Sequence, residues 1–168
     1  MKKVCTLIVI FIGFILAVNQ VQAAPPIVIG YNDILSGTFK SNGESYLMGI
    51  EEAVKEINED SGLLGRPIKI VKEDNQMKPE IAIQKLKKMI LKDKCDVIFG
   101  GGTSSSCIAI SQTIPRYKKL YITNGVALDI TGKHFNRYVF RPTFNVLLNI
   151  KTLAHYMGKN KPFKKVYM

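Results

Sequence analysis

The sequence is poor in the residues that build reactive and metal centres. Its 168 residues include two histidines, His134 and His155, and three cysteines. His134 lies in the polar turn TGKHFN and His155 beside an apolar stripe, so neither is placed for a serine–histidine–acid triad. Two isolated histidines and separated cysteines form no metal-ligand cluster. The Gly-Lys-Ser/Thr ending of a P-loop and the GxGxxG dinucleotide fingerprint are missing. So is the GxSxG elbow of a serine hydrolase. Beyond Val18 no segment is long and apolar enough to span a bilayer. Internal repeats, low-complexity linkers and coiled-coil heptads are lacking too. These absences point away from an enzyme, a resident metal and a bound cofactor, and leave binding as the broad class.

Acidic residues are also scarce, 13 against 24 Lys and Arg, for a formal net charge of +11. Such a balance raises nucleic acid as a partner. The lysines are scattered over helix faces and turns, as in KKMILKDK, and no nucleic-acid motif accompanies them. A solvated surface explains them better, and no nucleic-acid partner is expected. The N-terminus is more informative. Lys2 and Lys3 precede an apolar run from Val4 to Val18, and Val21-Gln22-Ala23 offers small residues at a cleavage site. This is the layout of a secretory signal peptide over residues 1–23. Cys5 stands at the start of the run, whereas a lipoprotein cysteine would stand at the cleavage point. The expected location is therefore periplasmic or secreted. Residues 24–168 suit one ordinary domain. They keep Cys95 and Cys107, a pair that an oxidising compartment would favour bridging. A strand rises about 3.3 Å per residue, which separates these two beyond the roughly 7 Å that a disulfide allows. Two small buried hydrophobes are expected instead.

Strand-like and helix-like segments alternate at short intervals. IVIGY (27–31) is a β-branched run bounded by prolines and Asn-Asp. From Gly43 to Asp60, Leu47, Ile50, Val54 and Ile57 recur at helical spacing, with Glu51, Glu52, Lys55 and Glu56 opposite. IKIVKED (68–74) reads as a strand. Pro79 opens a helix, where its missing N–H costs nothing, and Ile83, Leu86 and Ile90 line the buried side. CDVIFG (95–100) is a third strand, followed by a helix that Pro115 ends or kinks. KLYIT and RYVFR (137–141) are further strands. Val146, Ile150, Leu153 and Met157 mark a last helix, and KKVYM begins another strand. The pattern predicts an α/β fold, a doubly wound parallel sheet with helices on both faces.

Between the third strand and its helix stands GGGTSSS (100–106). In such a sheet, ligands bind beyond the carboxyl ends of the strands. A helix N-terminus there offers unpaired N–H groups and a partial positive charge. The glycines permit a tight turn and close approach, and Thr103 to Ser106 supply hydroxyls, so the segment reads as an anion site. The plainer alternative is that one serine caps the helix. A carboxylate suits the turn better than a phosphate, because no P-loop lysine follows.

Taken together, IVIGYNDILSGTFKSNGESYLMGIEEAVKEINEDSGLLGRPIKIVKEDNQMKPEIAIQKLKKMI, DVIFGGGTSSS and YVFRPTFN resemble the start of a type I periplasmic binding protein. The nearest branch is the leucine/isoleucine/valine-binding group of branched-chain amino-acid ABC transporters. The resemblance spans residues 27 to 168 and implies two lobes that close on a small carboxylate ligand, with a membrane permease as partner. It implies a ligand-binding lobe over 24–141. Residues 142–168 would be a hinge crossing with the first helix and strand of a largely missing second lobe. Ser104 matches the principal carboxylate-gripping serine, with Thr103 and Ser105 beside it. Gly125 matches the residue whose carbonyl accepts from the ligand ammonium. The companion threonine is replaced by Ala127, which leaves the ammonium one partner short, so the expected carboxylate ligand need not carry an α-amino group. Asn42 stands where some members place an aromatic. Arg141, Pro142 and Thr143 match the first hinge strand. Met77 stands where some relatives bridge to the serine turn, which a methionine cannot do. A ligand-sensing ectodomain on the same lobe and an exported hydrolase are the competing readings.

Overall fold

The computed structural model describes residues 24–160; the signal-like segment 1–23 and the strand expected in KKVYM lie outside the described residues. Five strands form one parallel sheet: β1 (Ile27–Asp33), β2 (Ile68–Asp74), β3 (Val97–Gly100), β4 (Leu120–Thr123) and β5 (Val139–Phe140). Their order is β2-β1-β3-β4-β5. Four helices connect or follow them: α1 (Lys40–Glu59), α2 (Pro79–Leu91), α3 (Ser104–Thr113) and α4 (Val146–Asn160). None of the described helices is long and apolar enough to cross a membrane.

Local chemistry sets most of the boundaries. Pro79 is the first residue of α2, after an extended Lys78. Pro115 tightens the end of α3 into a 3-10 turn, Ile114–Tyr117, closed by a left-handed Lys118. That is the expected effect of a missing N–H one turn from a helix end. One boundary differs. Helix α1 starts at Lys40, so Ser41 and Asn42 are helical ahead of the Gly43 start that the spacing suggests.

Helices α2 and α3 pack on each other and cover one face of the sheet. Ala82, Leu86 and Met89 meet Ile98, Cys107, Ile110, Ile114 and Tyr121, all fully buried. Cys95 and Cys107 are both buried and free, as the spacing argument requires. Burial pushes the Cys95 thiol up to about 11 and raises Cys107 too, so neither is an activated nucleophile.

The other face is covered only in part. Helix α1 lies against β1 and β2: the Tyr31 hydroxyl donates to the Gly43 carbonyl at 2.6 Å, and Asn58 exchanges two bonds with the Ile68 backbone. The strand register places Tyr31, Phe99, Ile122 and Phe140 on this same face. Beyond β3 the cover stops, and Leu120 and Phe140 are 47% and 54% exposed. The apolar stripe of α1 is accordingly only half used: Leu47 is buried, Ile50 and Val54 half-buried and Ile57 exposed. On α4, Val146, Ile150 and Leu153 are exposed as well.

Gly43 marks the tightest contact of α1, because a Cβ there would stand 1.9 Å from the Ile34 carbonyl oxygen. Gly49, six residues on in the same helix, has nothing within 4 Å of its Cβ position. Gly43→Ala should therefore destabilise the chain by about 1–3 kcal/mol, the usual cost of overpacking. Gly49→Ala should stabilise it by about 0.5–1 kcal/mol through helix entropy. Urea denaturation of the two variants checks both signs; equal effects would mean that α1 does not press on the Ile34 loop.

Candidate functional site

Parallel register brings the ends of three strands level, with Asn32 opposite Gly100 and Gly100 opposite Thr123. The loops that leave these ends meet around the GGGTSSS turn. Gly100, Gly101 and Gly102 all have positive φ, 108°, 118° and 69°. Space is equally restrictive. A Cβ would fall 2.6 Å from the Asn32 carbonyl oxygen at Gly100, 2.3 Å from Cys107 Sγ at Gly101 and 2.4 Å from Asp33 Oδ1 at Gly102. Only glycine fits this path.

The hydroxyls divide their labour. Thr103 is the helix cap: its Oγ1 accepts the Ser106 N–H at 3.2 Å and donates to Ser106 Oγ at 2.9 Å. Ser105 is exposed and lies 3.1 Å from the same Thr103 oxygen. Ser104 is half-buried and faces a cleft of about 340 Å³. Its hydroxyl has no hydrogen-bond partner among the described residues. Two nearby N–H groups are already committed, Gly102 to Asn124 Oδ1 at 3.1 Å and Thr103 to the Gly101 carbonyl at 2.8 Å. The donors left for a ligand are the Ser104 hydroxyl and the first helical N–H groups, those of Ser104 and Ser105.

Across the cleft stand Phe39, Asn42 and Tyr46 of the α1 end, and Met77 from the loop after β2. Asn124, Gly125 and Val126 close it from the end of β4. Thr103, Ser104, Gly125 and Asn42 are thus brought together as the sequence suggested. Ser105 and Ala127 are not among the lining residues. Ala127 packs on the core, and its carbonyl accepts from Arg141 at 2.7 Å. The Gly125 carbonyl lies at 3.5 Å from the same guanidinium, which also bonds Thr131 Oγ1. Arg141 therefore braces the β4 loop. Residues 141–143 are not strand, since β5 ends at Phe140 and the backbone then bends.

Three polar residues escaped sequence reasoning. Asp33 ends β1, is 1% exposed and lines the cleft. It accepts from the Ile34 N–H at 2.7 Å and from the Asn124 amide at 2.8 Å. Burial pushes its carboxyl above the usual carboxylate range, against the pull of those bonds and of Tyr31. Asn124 joins Asp33 to the Gly102 N–H, and buried Asn75 donates to the Gly101 carbonyl at 3.1 Å. A lone Asn or Asp at a strand end has no periodicity to betray it; the one available signal was position beside an anion-binding turn. No group of three His, Cys, Asp or Glu fit to hold a metal occurs among the described residues. His134 pairs with Gln112 at 3.1 Å, and His155 sits on exposed α4, so neither meets Ser104.

Comparison with known proteins agrees with this fold. The sequence model of the family described as "Periplasmic binding protein" matches residues 26–168. The chain is 31% identical to the Leu/Ile/Val-binding protein homolog 4 of Brucella abortus over 143 residues, 80% of this chain and 34% of that protein. It is 32% identical to an amino acid binding protein of Pseudomonas aeruginosa, over 66% of this chain and 31% of the other. The chain thus spans about a third of the length of the curated relatives it matches. Among solved structures, the branched-chain amino acid transporter substrate binding protein of Streptococcus pneumoniae, in complex with isoleucine, superposes with a TM-score of 0.74 at 24% identity, over 80% of this chain and 38% of that one. A solute binding protein of an ABC transporter from Rhodopseudomonas palustris, in complex with 3,4-dihydroxybenzoic acid, gives 0.74 at 20%, over 81% and 37%. At those identities the superpositions speak for the fold.

The division between Thr103 and Ser104 has a stability signature. Thr103→Ala removes the cap and should cost about 1 kcal/mol. Ser104→Ala removes a hydroxyl that holds nothing and should leave stability within about 0.5 kcal/mol. Parallel thermal melts test this; an equal loss in both would make Ser104 part of the cap.

Proposed function

Because the chain belongs to the periplasmic binding protein family, we propose that it forms the ligand-gripping lobe of an extracytoplasmic solute-binding protein serving an ABC transporter. Its cargo is a small carboxylate-bearing solute, such as an amino acid or a related organic acid. Residues 24–141 are the lobe. Arg141, Pro142 and Thr143 carry the chain out of it toward a second lobe, which α4 begins. The membrane permease of the transporter is the partner, and the working place is outside the cytoplasm, after removal of residues 1–23.

The single observation behind this reading is Ser104. Its unpartnered hydroxyl stands at the N-terminus of α3, over a cleft at the carboxyl ends of the strands. Oxygen donors and N–H groups aimed outward from a helix start favour an anion. No lysine or arginine lines the cleft, which disfavours a dianionic phosphate and suits a singly charged carboxylate. Thr103 and Ser105 keep the helix start in place, Gly125 offers a carbonyl, and Asn42 and Tyr46 form the opposite wall. Chemistry on a bound solute is not part of the reading, since neither histidine stands beside Ser104.

A ligand held by this lobe alone keeps one side in water, so its dissociation constant should be millimolar, about −4 kcal/mol. Heteronuclear NMR titration with leucine, isoleucine, 4-methyl-2-oxopentanoate and 4-hydroxybenzoate should shift the amides of residues 102–106 and 124–126. Ser104→Ala should weaken the best of these by about 1.5–3 kcal/mol, the range for a hydrogen bond to a charged group. A panel that leaves those amides unmoved at tens of millimolar would exclude the assignment.

A further inference from the structure

The cleft proposed to hold a carboxylate contains one of its own, and any role for that group in binding rests on the proposal. Asp33 lies on the cleft floor, within a few ångströms of the serine turn: the Cβ position of Gly102 is 2.4 Å from its Oδ1. Nothing cationic among the described residues pairs with it. Its hydrogen-bonding partners are neutral: the Ile34 N–H, the Asn124 amide and, beside them, the Tyr31 hydroxyl.

The groups that surround it are neutral or negative. Tyr31 of β1, Cys107 of α3 and Tyr121 of β4 all interact with Asp33, and burial pushes each of them up, so all stay neutral at ordinary pH. Tyr46 of α1 reaches over from the cleft wall beside Tyr31. On β2 the register partner of Asp33 is Asp74. Burial raises the Asp74 carboxyl, but bonds from Ser36 and from the Leu35 and Gln76 N–H groups outweigh it and hold it below the usual carboxylate range. The guanidinium of Arg141 is taken up by the carbonyls of Ala127 and Gly125 and by Thr131. An ammonium group at the Gly125 carbonyl would meet that guanidinium. Asp33 is the better seat for it, with a second lone pair on each oxygen.

We infer that Asp33 selects the charge type of the ligand: ionised, it holds the ammonium group of a zwitterion whose carboxylate sits on the serine turn; protonated, it admits the acid that lacks an ammonium group. Two like charges a few ångströms apart in a partly dry cleft repel by an amount that either the ammonium or the proton removes. The pH dependence therefore has a definite sign. Burial raises the Asp33 carboxyl, so the proton arrives at milder acidity than for an exposed aspartate. As pH falls through that range, the deaminated acid gains affinity and the zwitterion loses it.

The test uses the whole chain and two probes with one carbon skeleton, L-leucine and 4-methyl-2-oxopentanoate, each titrated by NMR at about pH 7 and about pH 4.5, where both carboxylates stay ionised. The ratio of the keto acid's dissociation constant to that of leucine should fall by about tenfold, the factor that about 1.4 kcal/mol carries. Asp33→Asn should flatten this dependence and hold the ratio at its acid value. A ratio that stays constant with pH while both probes bind would overturn the role of Asp33 and leave the carboxylate site standing. Failure of both probes to bind at either pH would remove the site, and the role of Asp33 with it. Should Asp33→Asn not fold, the two pH arms on the unmodified chain decide the matter.

Discussion

Two asparagine side chains hold together the loops on which the cleft depends. Asn75 takes the Gly101 and Asn32 carbonyls with its amide and the Met77 N–H with its oxygen. Asn124 takes Asp33 on one side and the Gly102 N–H on the other. Three consecutive glycines have no preferred path of their own, and fixing them is costly in backbone entropy. The asparagines make the path single-valued by giving backbone groups on neighbouring loops a shared side-chain donor or acceptor. Each such bond is worth about 0.5–1.5 kcal/mol net. The position of Ser104 is thus inherited from residues that never face the cleft with a charge.

This arrangement separates two electrostatic scales. The chain as a whole is strongly basic, with a formal charge of +11. Much of that charge lies outside the cleft, some of it in pairs such as Lys85 with Glu73 at 2.6 Å. A positive surface draws anions from a distance of about a Debye length, roughly 8 Å at physiological salt. Inside the cleft the only aspartate or glutamate is Asp33, and no lysine or arginine balances it. Attraction at long range and discrimination at short range are therefore assigned to different residues.

The frame was legible where it rests on repetition. Alternating β-branched runs and helical spacing located β1, β2, α1 and α2, and Pro79 and Pro115 act where their chemistry says they should. The serine turn was legible because seven residues share one anomaly. Single residues were not. Asp33, Asn75 and Asn124 look like ordinary turn formers in the chain and acquire meaning only when three strand ends are set side by side. Ala127 is another such residue. Family correspondence placed it at the ligand, but its side chain packs on the core and only its carbonyl is engaged, by Arg141. The apolar stripe of α1 overstated burial, because sequence period shows which side faces the sheet and not how far the sheet extends beneath it.

Tyr46 stands half-exposed at the wall shared by the cleft and by a smaller apolar hollow lined by Phe99 and Ile122. Tyr31 and Tyr121, by contrast, are sealed in and hydrogen-bonded to carbonyls at 2.6 and 2.8 Å. The sequence contains no tryptophan. Its ultraviolet emission therefore comes from phenol rings alone, undimmed by energy transfer to an indole. Any solute that displaces water from the wall alters the surroundings of Tyr46 while the two sealed rings keep theirs. The molecule carries its own optical gauge of occupancy, built from a side chain whose first task is to shape the cleft.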